Sequence, residues 1–443
     1  LFRTICTKEG LRAPYDRALL AMVANRLCDP ESKLGVWDRW LPTVYMPSCQ
    51  GLKLDHMYEA MDLLHEHAAE LEKHVFFETA NLFNLKVDLI FYDTTTASFF
   101  IDQEDDDAEG GLRKFCPAKE GFWAPSVVVA LAVTPEGLPV RSWVFPGNTT
   151  DVKTLIPVIK RLQARFPIKR VCIVADRGMI SSETIEILES PDNPIPYILG
   201  TRMRKVKAIR DKVLSRAGRY QEVRPEGFSS NDPASLKVKE VMVDDTRYIV
   251  CLNPAQARKE ANDRENIVAA LKAQLKKGAK SLVGNKGYRK YLNVDKDSVR
   301  IDTAKLRSEA RFDGKWVLTT NTDLSASDVA LKYKELWQVE RVFRDVKSLL
   351  ETRPIFHQRD ETIRGHVFCS FLALVLRKEL QQRLERSGYD FEWLHIKQDL
   401  KALHRVEIEE NGRCFFVRTQ SQGECGKIFQ AVGVAMPPTI SEV

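Results

Sequence analysis

No apolar run in this chain approaches the roughly 20 residues needed to cross a bilayer. The longest, such as residues 368–376, is less than half that. Residues 1–30 carry Arg, Lys, Glu and Asp throughout, so neither a membrane span nor an export signal is expected, and the expected place of work is the cytoplasm. Cysteine is too scattered for a disulfide scaffold: the nine residues are an odd number without a CxxC pair, which reads as reduced thiols rather than bridges or zinc ligands. Neither charge dominates, since 67 Lys and Arg face 61 Asp and Glu, so a polyanionic partner depends on where the charge lies. With 22 Gly and 20 Pro, collagenous and low-complexity classes are excluded. The first residue is Leu1 rather than Met, so an N-terminal piece is expected to be missing.

What is present is a 443-residue chain, 44% hydrophobic, long enough for two or three folded units or one elaborated domain. Residues 1–85 read as helices, because Met57, Ala60, Met61, Leu64, Ala68 and Leu71 recur at three- and four-residue steps. His56, His65, His67 and His74 lie along this stretch on different faces and without a companion Cys, so a solvated helix surface is favoured over a metal site. From residue 87 short apolar runs take over: 87–92, 127–133, 138–145, 171–175 and 197–199, with helices expected at about 151–165 and 181–188. That order specifies a mixed α/β sheet with helices packed on it. Beyond residue 203 come alternating strands at 236–243 and 247–252 and two basic segments, 201–220 and 271–290. Each is either a solvated helix face or a phosphate-binding surface. Helical periodicity returns over 327–350 and 362–384.

Three acids stand out. Asp93 and Asp176 each close an apolar run at the carboxyl end of an expected central strand, where open α/β sheets gather their functional groups. Singly, each is as readily a turn former or helix cap. Glu340 falls on the stripe Tyr333, Leu336, Glu340, Phe343, Lys347, Leu350, a core-facing line that demands a partner for an ionised carboxylate. Arg344, one turn on, would be the simple structural partner. Together the three describe hard oxygen donors suited to Mg²⁺ or Mn²⁺ rather than Zn²⁺, the ligand set for in-line phosphoryl transfer.

Four motifs carry a family resemblance: Tyr92, Asp93, Thr94 and Thr95; Gly147 to Asp151; Ala175 to Gly178; and the stretch from Tyr333 through Glu340 to Lys347, continued by Arg353 to His357 and Ile363 to His366. In that order and spacing the chain resembles a bacterial insertion-sequence DDE transposase over about residues 85–385. The resemblance implies an RNase H-like mixed sheet flanked by helices, with a β-rich insertion before the last catalytic helix and a helical N-terminal region. It makes Asp93, Asp176 and Glu340 the catalytic, metal-binding triad. In the signature Y-x2-R-x3-E-x6-K, Tyr333, Glu340 and Lys347 match, while Leu336 replaces the Arg and leaves Arg341 or Arg344 to take its phosphate contact.

The implied divisions are residues 1–85 for DNA-end binding, 86–202 for the first part of the core, 203–322 for the basic insertion, 323–386 for the core's last helices, and 387–443 without an assigned role. DNA contacts are expected from Tyr333, Lys347, Arg344, Arg341, Lys276, Lys277, Arg202 and Arg204. The expected activity is Mg²⁺-dependent cleavage and strand transfer at terminal inverted repeats, with Mn²⁺ substituting, double-stranded DNA as partner and a homodimer holding two ends. The alternative is a catalytically inactive or domesticated DNA-binding relative; a simple RNase H-like nuclease explains neither the basic insertion nor the Tyr and Lys positions. The acidic run 102–109 is expected to be a flexible loop, and Trp123, Trp316 and Trp337 are expected in the core unless one stacks on an unpaired base.

Overall fold

A computed structural model of the chain describes residues 1–79, 89–106, 111–117, 122–165, 172–192, 194–224, 236–277, 290–294, 299–345 and 355–442. The longer helices of the N-terminal region are α1 (Phe2–Lys8), α2 (Tyr15–Cys28), α3 (Leu54–Glu66) and α4 (Ala68–Thr79), with short helical turns between α2 and α3. Strands β1 (Leu89–Ser98), β2 (Lys114–Pro117), β3 (Trp123–Val133) and β4 (Pro139–Pro146) follow, then α5 (Asp151–Arg165), β5 (Cys172–Ala175), α6 (Ser182–Leu188) and β6 (Tyr197–Gly200). The apolar runs predicted all of these except β2, and β1 continues six residues beyond the expected end at Tyr92, so Asp93 lies inside the strand rather than at its carboxyl end. β3 is buried at every position after Trp123, as a strand covered on both faces must be.

The strand order β4-β3-β1-β5-β6 has antiparallel pairing across β4, β3 and β1 and parallel pairing of β1 with β5 and β5 with β6. This is the RNase H-like arrangement. The insertion supplies β7 (Gln221–Val223), β8 (Leu236–Val243), β9 (Thr246–Leu252), α7 (Pro254–Lys277), the short hairpin β10 (Leu292–Val294) and β11 (Val299–Ile301), α8 (Thr303–Ala310) and β12 (Lys315–Thr320). β12 pairs antiparallel with β6, and β9, β8 and β7 continue outward from it. The insertion therefore extends the core sheet, and the edge that β6 would otherwise expose is covered.

The helix expected over 327–350 is two helices, α9 (Ala326–Lys334) and α10 (Trp337–Arg344), divided by a turn at Glu335 and Leu336. After them α11 (Asp360–Arg386) spans 27 residues. α12 (Trp393–Lys401), a three-stranded sheet of β13 (Arg405–Glu410), β14 (Arg413–Arg418) and β15 (Ile440–Glu442), and α13 (Cys425–Ala431) complete the chain. Among the described residues no helix is long and apolar enough to cross a membrane.

One apolar core lies under each face of the sheet. On one face, Phe91, Val174 and Ile198 meet Val339, Val342 and Phe343 of α10, Phe368 and Leu374 of α11, and Met22, Met57 and Leu64 of the N-terminal helices. On the other, Ile90, Tyr92, Ile173 and Leu199 meet Leu155 and Ile159 of α5 and Leu188 of α6. α3 crosses α11 at Gly365, where an added Cβ would stand 2.5 Å from the Met61 carbonyl oxygen, so only glycine permits this approach.

Two expectations are corrected here. Trp123, the first residue of β3, is 70% exposed and is not a core residue; Trp316 is partly buried against the main core, and the Trp337 side chain lies outside the described residues. The acidic run is tied down where it is described: Asp105 accepts from the Arg113 backbone nitrogen at 2.8 Å and its Nε at 2.7 Å, and Glu104 from the Phe115 nitrogen at 2.7 Å. Those bonds hold Asp105 below the usual carboxylate range against the opposing effect of its burial. Residues 107–109 of the run lie outside the described residues.

Candidate active site

The register of the two central strands settles where the first two acids stand. β1 and β5 run parallel with Leu89 opposite Cys172 and Tyr92 opposite Ala175. The next residue on each is Asp93 and Asp176, so the two aspartates sit side by side at the spacing of neighbouring strands, ~4.8 Å between backbones. Alternation fixes their face. Leu89, Phe91, Cys172 and Val174 point into the core shared with α10 and α11, and Ile90, Tyr92, Ile173 and Ala175 into the opposite core. By the period of two, Asp93 and Asp176 both project on the side covered by α9 and α10. Asp93 is half-buried and Asp176 exposed.

Tyr333, near the end of α9, donates its hydroxyl to Asp176 Oδ1 at 3.0 Å. Burial, and then the neighbouring Asp176 charge, push the phenol's pKa upward, so it stays a donor. Gly200 at the end of β6 makes the approach possible: a Cβ there would stand 2.2 Å from the Tyr333 hydroxyl and 3.1 Å from the Arg177 nitrogen. Arg202 follows and donates Nε to the Arg177 carbonyl and Nη2 to the Gly178 carbonyl, both at 3.1 Å, which pins the turn Arg177–Met179 after Asp176.

Glu340 departs from the expected placement. α10 buries Val339, Val342 and Phe343 and packs on β1 and β3, the strands around Asp93, but Glu340 itself is exposed. The turn at Glu335 and Leu336 separates Tyr333 from the helix carrying Glu340, and within that helix the buried face runs through Val339, Val342 and Phe343 and leaves Glu340 beside it. Among the described residues no three acidic, His or Cys side chains are grouped closely enough to hold a metal ion. The two aspartates, oxygen donors on neighbouring strands, suit a hard cation such as Mg²⁺ or Mn²⁺.

Leu336, where the signature has Arg, is buried in the main core and can make no phosphate contact. Arg341 and Arg344 are exposed on the flank of α10 that carries Glu340. Arg204 contacts Glu309 at 3.5 Å and lies 5.1 Å over the Phe312 ring, within the packing of the insertion. Lys276 is exposed near the end of α7. Lys347, the Lys277 side chain and residues 278–289 of the second basic segment lie outside the described residues. Sequence reasoning missed the part of Gly200, which no local pattern signals, and named Asp151 only as the end of the motif Gly147 to Asp151.

A model of the family described as "Transposase DDE domain" matches residues 94–376, a span that includes Asp176, Tyr333 and Glu340 and begins one residue after Asp93. No curated protein sequence matches the chain. Among solved structures it is similar to a piggyBac transposase in a synaptic complex with hairpin DNA, at 11% identity over 88% of this chain and 70% of that one, with a TM-score of 0.45, too distant a likeness to carry an argument.

Proposed function

Because the chain belongs to the DDE transposase family, we propose that it binds the terminal inverted repeats of its own insertion sequence, cuts at each end and joins the freed 3′-hydroxyl to target DNA. The observation that carries this reading is the pair Asp93 and Asp176, side by side on the face beneath the helix bearing Glu340, with the Tyr333 hydroxyl on Asp176. Mg²⁺, or Mn²⁺ in its place, would be held by the two aspartates with Glu340 completing the set. Divalent ions so bound supply an activated water and stabilise the departing oxygen of an in-line displacement.

The chain's own residues do the holding and positioning. Tyr333 fixes the rotamer of Asp176, and Arg202 fixes the turn that follows it. Glu340, free of the core, can turn toward the pair when the repulsion between carboxylates is relieved. Arg341 and Arg344 offer guanidinium groups to the DNA backbone in place of the arginine that Leu336 displaces, and Lys276 adds salt-dependent, sequence-independent affinity from the insertion. Lys347 is assigned to the same backbone grip by its motif position, and Lys277 and Arg204 by their place in the two basic segments. We assign end recognition to residues 1–85, catalysis to 86–202 and 323–386, and DNA contacts to the insertion 203–322; a homodimer would hold two ends. The core position of Leu336 favours one second reading, an inactive copy that still binds DNA.

The test is nicking of a duplex that carries the element's own end, with wild type beside Asp176→Asn. The amide keeps the side chain's size but is a poor metal ligand, so a loss on the order of a thousandfold or more in rate, with DNA binding retained, is expected at 1.36 kcal/mol per decade. A wild type that binds the end and never nicks it with Mg²⁺ or Mn²⁺ establishes the inactive copy instead.

A further inference from the structure

The side chains on either side of Asp93 are fastened to a single helical turn on the opposite face of the sheet. Thr94 Oγ1 donates to Asp151 Oδ1 at 2.6 Å, and the Tyr92 hydroxyl donates to Thr154 Oγ1 at 2.7 Å, which itself donates to the Asp151 carbonyl at 2.6 Å. Thr94 and Tyr92 are almost wholly buried, at 1% exposure each, so these bonds are shielded from water. The Thr94 backbone nitrogen also donates to Asp93 Oδ1 at 2.7 Å. Thr94 thus holds Asp93 with its backbone and Asp151 with its side chain. The second carboxylate oxygen of Asp151 faces the other acid's chain: a Cβ built on Gly178 would stand 3.6 Å from Asp151 Oδ2, and α5 packs on the turn Arg177–Met179 that follows Asp176.

We propose that Asp151 is a positioning residue that, through Thr94 on one side and the Gly178 turn on the other, sets the separation of Asp93 and Asp176. The inference rests on the reading of those two aspartates as metal ligands. A carboxylate as the first residue of a helix is favoured by the helix dipole, and a short bond to a buried hydroxyl gives it one orientation. An ion bridging two carboxylates tolerates errors of tenths of an ångström, and loss of an outer hydrogen-bonding partner typically weakens metal binding ~10–100-fold.

The experiment measures Mn²⁺ affinity of the full chain by electron paramagnetic resonance, together with melting temperature, for wild type, Asp151→Ala, Asp151→Asn, Thr94→Val and the Thr94→Val/Asp151→Ala double variant. Expected are a ~10–100-fold weaker Mn²⁺ affinity in Asp151→Ala, a similar loss in Thr94→Val, no further loss in the double variant, and a smaller loss in Asp151→Asn, which keeps an acceptor for the Thr94 hydroxyl. Thr94→Val keeps the side chain's shape and puts a methyl in place of the hydroxyl, and it carries the test if Asp151→Ala does not fold. Variants that melt lower yet bind Mn²⁺ as wild type does would reduce Asp151 to a fold residue and overturn the proposal. A wild type that binds no Mn²⁺ overturns the metal-ligand reading itself, and the positioning role falls with it.

Discussion

Replacing Gly200 by Ala should detach Tyr333 from Asp176, and the geometry sets the size of the effect. The new Cβ would stand 2.2 Å from the phenol oxygen, where ordinary contact begins at 3.4 Å, so the ring must retreat by about 1.2 Å (3.4 − 2.2). A hydrogen bond of 3.0 Å does not survive that displacement. The backbone nitrogen of Arg177, 3.1 Å from the same Cβ, limits retreat of the strand in the other direction. A bond to a charged acceptor contributes ~1.5–3 kcal/mol, and Asp176 is exposed, which points to the lower end. Overpacking adds ~1–3 kcal/mol. Gly200→Ala should therefore cost roughly 2.5–4.5 kcal/mol, whereas Tyr333→Phe, which loses the bond without the clash, should cost about 1.5 kcal/mol. The two effects share one atom and must couple. In a Tyr333→Phe background the alanine should cost clearly less, with a remainder because the ring carbon Cζ is still 3.0 Å away. Urea unfolding of the four proteins in the cycle measures this, and strict additivity would refute the argument.

Lys33 is 3% exposed, and burial above all, with the Arg26 charge adding to it against the opposing pull of Cys369, lowers its pKa to about 8. The unfolded lysine keeps its proton to about 10.5, so the fold carries the whole penalty below pH 8 and sheds it as the pH rises to 10.5; Lys33→Met should stabilise by about 3 kcal/mol at pH 7 and by much less at pH 10, and an equal gain at both by denaturant melts would contradict the cause. Asp345, at the end of α10, lies 3.3 Å from Arg377 and 4.0 Å from Lys378, all buried, with Arg377 4.8 Å over the Trp393 ring. Asp345→Ala should cost about 3–5 kcal/mol by leaving two buried cations without their carboxylate, and Arg377→Met in that background should recover part of the loss; no recovery in thermal melts would count against the pairing.

The sequence made the central strands and the place of Asp176 after β5 legible, because a strand buried on both faces is a continuous apolar run, but not the continuation of β1 past Asp93 to Ser98, whose Thr and Ser residues carry no apolar run. Tyr333 was legible only through its family motif. The break between the helices of Tyr333 and Glu340 was not, because Glu335 and Leu336 favour helix, and the exposure of Glu340 was not, because a three- and four-residue stripe does not say which of its neighbours faces the core. Nor was the continuity of the insertion with the core sheet, since the pairing of β12 with β6 joins segments more than a hundred residues apart and leaves no trace in local periodicity. Asp151 shows the same limit. Its place at a helix start is visible in sequence, but its bond to Thr94, 57 residues back, appears only once the sheet and helix are packed.

That Asp176 ligates the metal for strand cleavage is tested most directly by Asp176→Cys, assayed on the element's end in Mg²⁺ and in Mn²⁺. A thiolate serves Mg²⁺ poorly and softer ions better. The variant should be inactive in Mg²⁺ and regain cleavage in Mn²⁺, while wild type cuts in both. Full activity of the variant in Mg²⁺, or an equal loss in the two ions, would contradict the assignment.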